Sequence, residues 1–275
     1  MALGARPVVA PDSQIGNSGE GLMLFAAIDE SAELLLTIAA AFLATALIAR
    51  GSPRWVQVFN RRRIVILWII VLLVFLGKVS EDVLAHESGP VDELLLLWIH
   101  DVVPESLTPF FRLLTLSASA SVIFPAVAVV TLLLVRMRQR LRAFAFTSTV
   151  LSAVALVYMV KTVVGRARPV LWETQWYWGS SFPSGHTLTS AAFATAACLC
   201  LIDLRPRAKW PAICMATAWV VLVALSRLVL GVHWPSDVAA AAFAGVLLAL
   251  AVDATTVWVE SVVRFQRGRA SKSPA

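Results

Sequence analysis

Charge is what this chain has least of. Only 15% of its 275 residues are Asp, Glu, Lys or Arg, against 59% hydrophobic residues. A soluble domain of this length carries about a quarter charged residues. The deficit excludes an ordinary soluble core and points to a polytopic membrane protein. Cysteine is also scarce: Cys198, Cys200 and Cys214 all lie within apolar segments, which argues against a disulfide framework or a thiolate metal site. No basic stretch precedes the first apolar run; Asp29, Glu30 and Glu33 stand there instead, so it reads as a retained helix and not as a cleaved signal. The formal net charge of +6 comes from short basic clusters between apolar runs, a pattern of topology determinants with no nucleic-acid partner.

The apolar runs predict an all-α, polytopic transmembrane bundle. Seven stretches are long enough to span a bilayer, at 32–49, 64–80, 113–135, 143–160, 187–204, 210–229 and 238–258. Arg and Lys gather at 50–63, 136–142, 205–209 and in the tail, all on one side if every span crosses. The positive-inside rule makes that side cytoplasmic. Residues 1–30 then form an extracytoplasmic segment, 31–60 an additional helix with a basic loop, 61–260 the main membrane domain and 261–275 a basic cytoplasmic tail. The acidic stretch 81–112 falls outside; its centre, LLLLWIHDVV at 94–103, is too short to span and is expected to be an interfacial helix.

The loop at 161–186 runs against this pattern, because it is expected outside yet carries Lys161, Arg166 and Arg168. Binding of an anion accounts for them. Lys161 and Arg168 are seven residues apart, two helical turns, and can share a face if the helix persists to Pro169. Two fixed cations suit a phosphate dianion, although snorkelling anchors have the same signature. Next comes Pro183-Ser184-Gly185-His186, at the start of a span. Helix N-termini bind anions through orphan amides, Gly185 admits close approach, and His186 exchanges protons near neutral pH; a plain N-cap fits as well. The last cluster is Ser226-Arg227, His233 and Asp237. An Arg within an apolar run is costly and marks a site. An Asp paired with a His fixes its tautomer and frees the other ring nitrogen as nucleophile or base; Asp237 could equally cap a helix.

The seven-span arrangement puts all three clusters on one face, with no acidic cluster suited to a metal. Together these motifs resemble those of the type 2 phosphatidic acid phosphatase superfamily: Lys-x6-Arg-Pro, Pro-Ser-Gly-His and Ser-Arg-x5-His-x3-Asp. Every position is matched, and the resemblance covers about residues 60–258. It implies a six-helix core, to which the span at 32–49 is an addition. It also implies His233 as the nucleophile that forms a phosphohistidine, Asp237 as its orienting partner and His186 as general acid. Lys161, Arg168, Ser184, Gly185 and Arg227 would hold the phosphoryl oxygens, with no metal or cofactor, and Arg166, outside the motif, would support them. The expected substrate is a membrane lipid phosphate reached from the bilayer: undecaprenyl diphosphate, phosphatidylglycerophosphate or phosphatidic acid. The expected place is the outer face of a bacterial cytoplasmic membrane. Phosphotransfer to another acceptor, or non-catalytic binding or transport of an anionic lipid, are the competing readings. Trp172, Trp176, Tyr177 and Trp178 form an aromatic belt or a substrate platform.

Overall fold

A computed structural model of the chain describes residues 15–172, 174 and 179–270. The chain is an all-helical, multi-pass membrane protein, and no strand occurs among the described residues. Two compact units are distinguished, Met1–Val74 and Phe75–Ala275. The first holds α1 (Ile15–Ala49) and most of α2 (Pro53–Leu84), with Phe42 and Phe59 in contact at a centroid distance of 5.2 Å. Helix α1 begins at Ile15, well inside the segment 1–30 that composition sets apart. Gly77, Lys78 and Ser80 do not interrupt α2; Lys78 is instead paired with Asp82 at 3.0 Å.

The second unit begins with the end of α2 and continues through α3 (Gly89–Val102), α4 (Thr108–Leu116), α5 (Ala120–Arg136), α6 (Arg140–Val164), α7 (Gly185–Leu204), α8 (Lys209–Val229) and α9 (Pro235–Ala270). Among the described residues, six helices are long and apolar enough to cross a membrane. Helix α5 has 17 residues, about 25 Å, at the lower limit for a span. The run at 113–135 is therefore not one helix. It breaks at 117–119, where Ser117 and Ser119 return their hydroxyls to the carbonyls of Leu114 and Leu116. Upstream, α3 and the segment Glu105–Leu116 are bent by 90°. Pro104 explains the bend, because it pushes Val103 into an extended conformation (ψ 114°) and ends α3 there.

The core is built on α7, which packs against α6, α8 and most extensively α9. Small residues let the helix backbones approach closely. Ala191, Ala192, Ala240 and Ala241 are buried, and a Cβ placed on Gly245 would lie 2.5 Å from the Leu188 carbonyl oxygen. Away from this seam, Ile123, Val127, Phe146 and Val150 bury against Ala196 and Ala249, and Phe146, Phe193 and Trp219 meet edge to face. A Thr131–Thr147 hydroxyl bond of 2.7 Å joins α5 to α6. The outward faces stay apolar, with Leu113, Leu132, Tyr158, Val163 and Met215 exposed as lipid-facing side chains are.

Consecutive antiparallel helices put the ends at 161–164, 185 and 229–235 together. The basic turns at 136–140 and 205–209 lie at the opposite end, where Arg142 meets Asp203 at 3.3 Å. The three sequence clusters thus share one end of this unit.

The α7–α9 seam has no room for a larger side chain, since a Cβ on Gly245 also meets Ala191 Cβ at 2.8 Å and the Ala192 nitrogen at 3.0 Å. Gly245→Val is expected to destabilise the protein by about 2–3 kcal/mol, as overpacking of a tight interface does. Thermal unfolding in detergent reads this directly; an unchanged midpoint would refute the close approach.

Candidate active site

Helix α6 stops at Val164, not at Pro169, because Gly165 takes the left-handed conformation (φ 64°) that closes helices. Lys161 and Arg168 therefore do not share a helix face. The turn at Gly165 brings them together by another route: both donate to the carbonyl of Ser180, Lys161 through Nζ and Arg168 through Nη2. Arg168 Nη1 also donates to the Val232 carbonyl at 2.7 Å and stands 3.3 Å from Nε2 of His233.

His233 does not share a helix face with Asp237 either. It lies in the turn before α9, which starts at Pro235. Asp237, in the first turn, reaches back so that Oδ2 accepts the Trp234 N–H at 2.9 Å, the reciprocal half of a capping box. The same oxygen is 3.4 Å from His233 Nδ1, long for a formed hydrogen bond but within strong electrostatic contact. Asp237 thus caps a helix and orients a histidine at once. His233 has its two ring nitrogens facing a carboxylate and a guanidinium.

Ser184 is the N-cap of α7, with its hydroxyl bonded to Thr187 Oγ1 at 3.0 Å and its N–H to the Asp237 carbonyl at 3.2 Å. Gly185 and His186 follow, with His186 half-buried and within electrostatic reach of Arg227, His233, Arg168 and Lys161. Arg227 is the largest fully buried side chain and donates Nη1 to Thr115 Oγ1 of α4 at 2.7 Å. Ser226 spends its hydroxyl on Val223 of its own helix. Lys161, Arg168, Ser184, His186, Arg227, His233 and Asp237, drawn from all three motifs, are therefore brought to one cluster.

Arg166 is not part of the cationic set. Its Nη1 donates to Asp237 Oδ1 and its Nη2 to Asp92 Oδ2, both at 2.6 Å, with further bonds to Ser236 Oγ (2.8 Å) and Ser88 Oγ (2.9 Å). Two carboxylates use its charge, which corrects the expectation that the outward bases of this loop all await an anion. Asp92 and Thr115 are the residues that sequence reasoning missed. The stretch 94–103, expected at the interface, belongs to α3, whose Asp92 and Leu96 are buried. Asp92 is 74 positions from Arg166 and Thr115 is 112 from Arg227, so no spacing rule could pair them. Trp172 stacks on His100 at 4.2 Å; Trp176, Tyr177 and Trp178 lie outside the described residues. Among the described residues no group of three His, Cys, Asp or Glu side chains gathers as metal ligands would.

Residues 142–260 match the model of the PAP2 superfamily. The matched segment contains all three motifs. In sequence, the chain resembles phosphatidylglycerophosphatase B of Escherichia coli (strain K12) and of Shigella flexneri, 37% identical to each over 81 residues. That stretch is 30% of this chain and spans 29% of the length of each relative. In structure, the chain is similar to a transmembrane PAP2 type phosphatidylglycerolphosphate phosphatase from Bacillus subtilis. The TM-score is 0.63 at 21% identity, over 68% of this chain and 94% of that one, which is agreement of fold.

Burial pushes the His233 imidazole down to about 4, and Arg227 and Arg168 push the same way against the opposing pull of Asp237. That holds the ring in its neutral form at neutral pH. Since the folded value lies below the ordinary 6.5, its contribution to stability is complete above pH 6.5 and is lost as pH falls from there toward 4. His233→Gln is expected to flatten that part of the acid loss in thermal unfolding; a variant that falls as steeply as the wild type would refute it.

Proposed function

We propose that this protein is a membrane lipid phosphatase working through a phosphohistidine. The observation that carries the reading is the setting of His233, a buried neutral imidazole with Asp237 at Nδ1 and the Arg168 guanidinium 3.3 Å from Nε2. Nε2 attacks the phosphorus, forming a P–N bond as the P–O bond to the lipid breaks. His186 gives its proton to the departing oxygen. It then takes a proton from water, whose oxygen attacks the phosphohistidine and releases inorganic phosphate, restoring both histidines. Asp237 holds the ring and balances the positive charge it gains.

Lys161, Arg168 and Arg227, with the Ser184 hydroxyl and the backbone N–H of Gly185 at the start of α7, receive the charge that develops on the phosphoryl oxygens. Such preorganised stabilisation is usually the largest catalytic effect. None of these steps requires a metal.

A lipid substrate is supported by the surroundings of His186. Together with Gly185 and Thr189 it borders a cavity of about 200 Å³ otherwise lined by Ala118, Ile123, Phe124, Val154 and Val157, apolar walls suited to a chain at its junction with the head group. The names of the E. coli and Shigella relatives put phosphatidylglycerophosphate first, ahead of undecaprenyl diphosphate and phosphatidic acid. The basic clusters at the opposite end favour an active site on the outer face of a bacterial cytoplasmic membrane.

Purified protein in detergent with EDTA is expected to release phosphate from phosphatidylglycerophosphate. His233→Ala is expected to lower turnover by about 10⁴-fold or more, as loss of a nucleophile does. Retained turnover in the variant would overturn the nucleophile assignment. Loss of substrate without free phosphate would indicate transfer to another acceptor, and strict dependence on a divalent ion would overturn the metal-free route.

A further inference from the structure

The bonds of Asp92 all lead toward Asp237. Its Oδ2 accepts Arg166 Nη2 at 2.6 Å and the Ser236 hydroxyl at 2.6 Å, and its Oδ1 accepts the Ser236 N–H at 2.8 Å. Arg166 and Ser236 are in turn the immediate neighbours of Asp237, one through a 2.6 Å ion pair and the other along the chain. Asp92 and Asp237 are buried, at 2% and 0% exposure, and Arg166 lies over the Trp234 ring at 5.7 Å. One guanidinium therefore bridges two buried carboxylates from α3 and α9.

We infer that Asp92 is a positioning residue for the reaction proposed above, holding Arg166 and Ser236 so that the Asp237 carboxylate stays turned toward His233. The inference rests on that reading. A plain structural pin between α3 and α9 does not need two buried carboxylates bridged by a guanidinium, whose desolvation is expensive, because Leu96, Leu228 and Val238 already pack these elements together. The charge count supplies a reason. Asp92, Arg166 and Asp237 sum to −1 on the side of Nδ1, whereas Arg166 and Asp237 alone sum to zero. A net negative group is what supports the imidazole as Nε2 becomes bonded to phosphorus. Without Asp92, Arg166 would neutralise Asp237 and draw its carboxylate away from the ring. At Nε2 stands the Arg168 guanidinium, and Arg227 acts on the same imidazole as a further positive charge, so the balancing negative charge comes from the Nδ1 side.

The test compares wild type, Asp92→Asn, Arg166→Gln and the double variant in phosphatidylglycerophosphate hydrolysis, with thermal unfolding measured alongside. Asp92→Asn is expected to lower kcat about tenfold to a hundredfold with KM nearly unchanged, the size of effect seen when an outer partner that orients a ligand imidazole is lost. The double variant should be no worse than Arg166→Gln, because both act through one contact. A second readout needs no turnover: ring ¹⁵N shifts of histidine-labelled protein at neutral pH, with His233 assigned through His233→Gln. The wild type should carry its proton on Nδ1, and Asp92→Asn should mix the two tautomers. Should Asp92→Asn fail to fold, Arg166→Lys, which keeps the charge but cannot bridge two carboxylates, should show the same two effects. Unchanged kcat and an unchanged tautomer in folded variant protein would overturn the inference. A wild type that releases no phosphate from any lipid would overturn the phosphatase reading, and the ¹⁵N shifts would then decide the role of Asp92 alone.

Discussion

A fully buried carboxylate has to be neutralised or it will not stay ionised. Asp237 is such a group, and the arrangement of this end of the bundle follows from how it is satisfied. The Trp234 N–H, the Arg166 guanidinium and the His233 ring each take one of its faces. Those contacts fix where α9 begins, which way the turn at 230–234 runs and where the loop after α6 must pass. Arg168 is delivered by the same loop, so the cation beside Nε2 and the carboxylate beside Nδ1 are held by one connected set of bonds.

The bent pair α3 and α4 has a larger part in this than its composition suggests. Its residues neither span the bilayer in one piece nor lie idle on a surface. Asp92 on α3 reaches Arg166 and Ser236, and Thr115 on α4 reaches Arg227. Each gives an arginine of the site end a partner, and each does so from an element with no motif residue. The small-residue seam between α7 and α9 has the complementary role of holding the Ser184 and Asp237 backbones close enough for a direct N–H to carbonyl bond.

Helix starts illustrate how one residue can serve stability and chemistry together. Asp237 caps α9 as the spacing from Trp234 allows, and its second oxygen is bonded to Arg166. Ser184 stands at the N-cap of α7, with its hydroxyl bonded to that of Thr187. A capping role and the proposed phosphate-site role are compatible at these positions, because an N-terminus that attracts a side-chain carboxylate or hydroxyl also attracts phosphate.

By itself the sequence determined the class of the molecule and the composition of its candidate site. Scarce charge and long apolar runs dictate a helical membrane protein, since backbone groups in lipid must be satisfied within each segment. The order Lys161, Arg168, Ser184, Gly185, His186, Arg227, His233 and Asp237 was legible because each motif is local and sits at a helix end. Where those helices end was less legible: Gly165 closes α6 early, and a serine-rich turn splits the run at 113–135. What only the tertiary structure decided is which partners each charge meets. Arg166 and Arg168 are two residues apart and chemically alike, yet the first is consumed by Asp92 and Asp237 and the second faces His233. That division depends on Asp92, 74 positions from its partner, and contacts across such a separation are set by packing, which leaves no periodicity for a sequence to display.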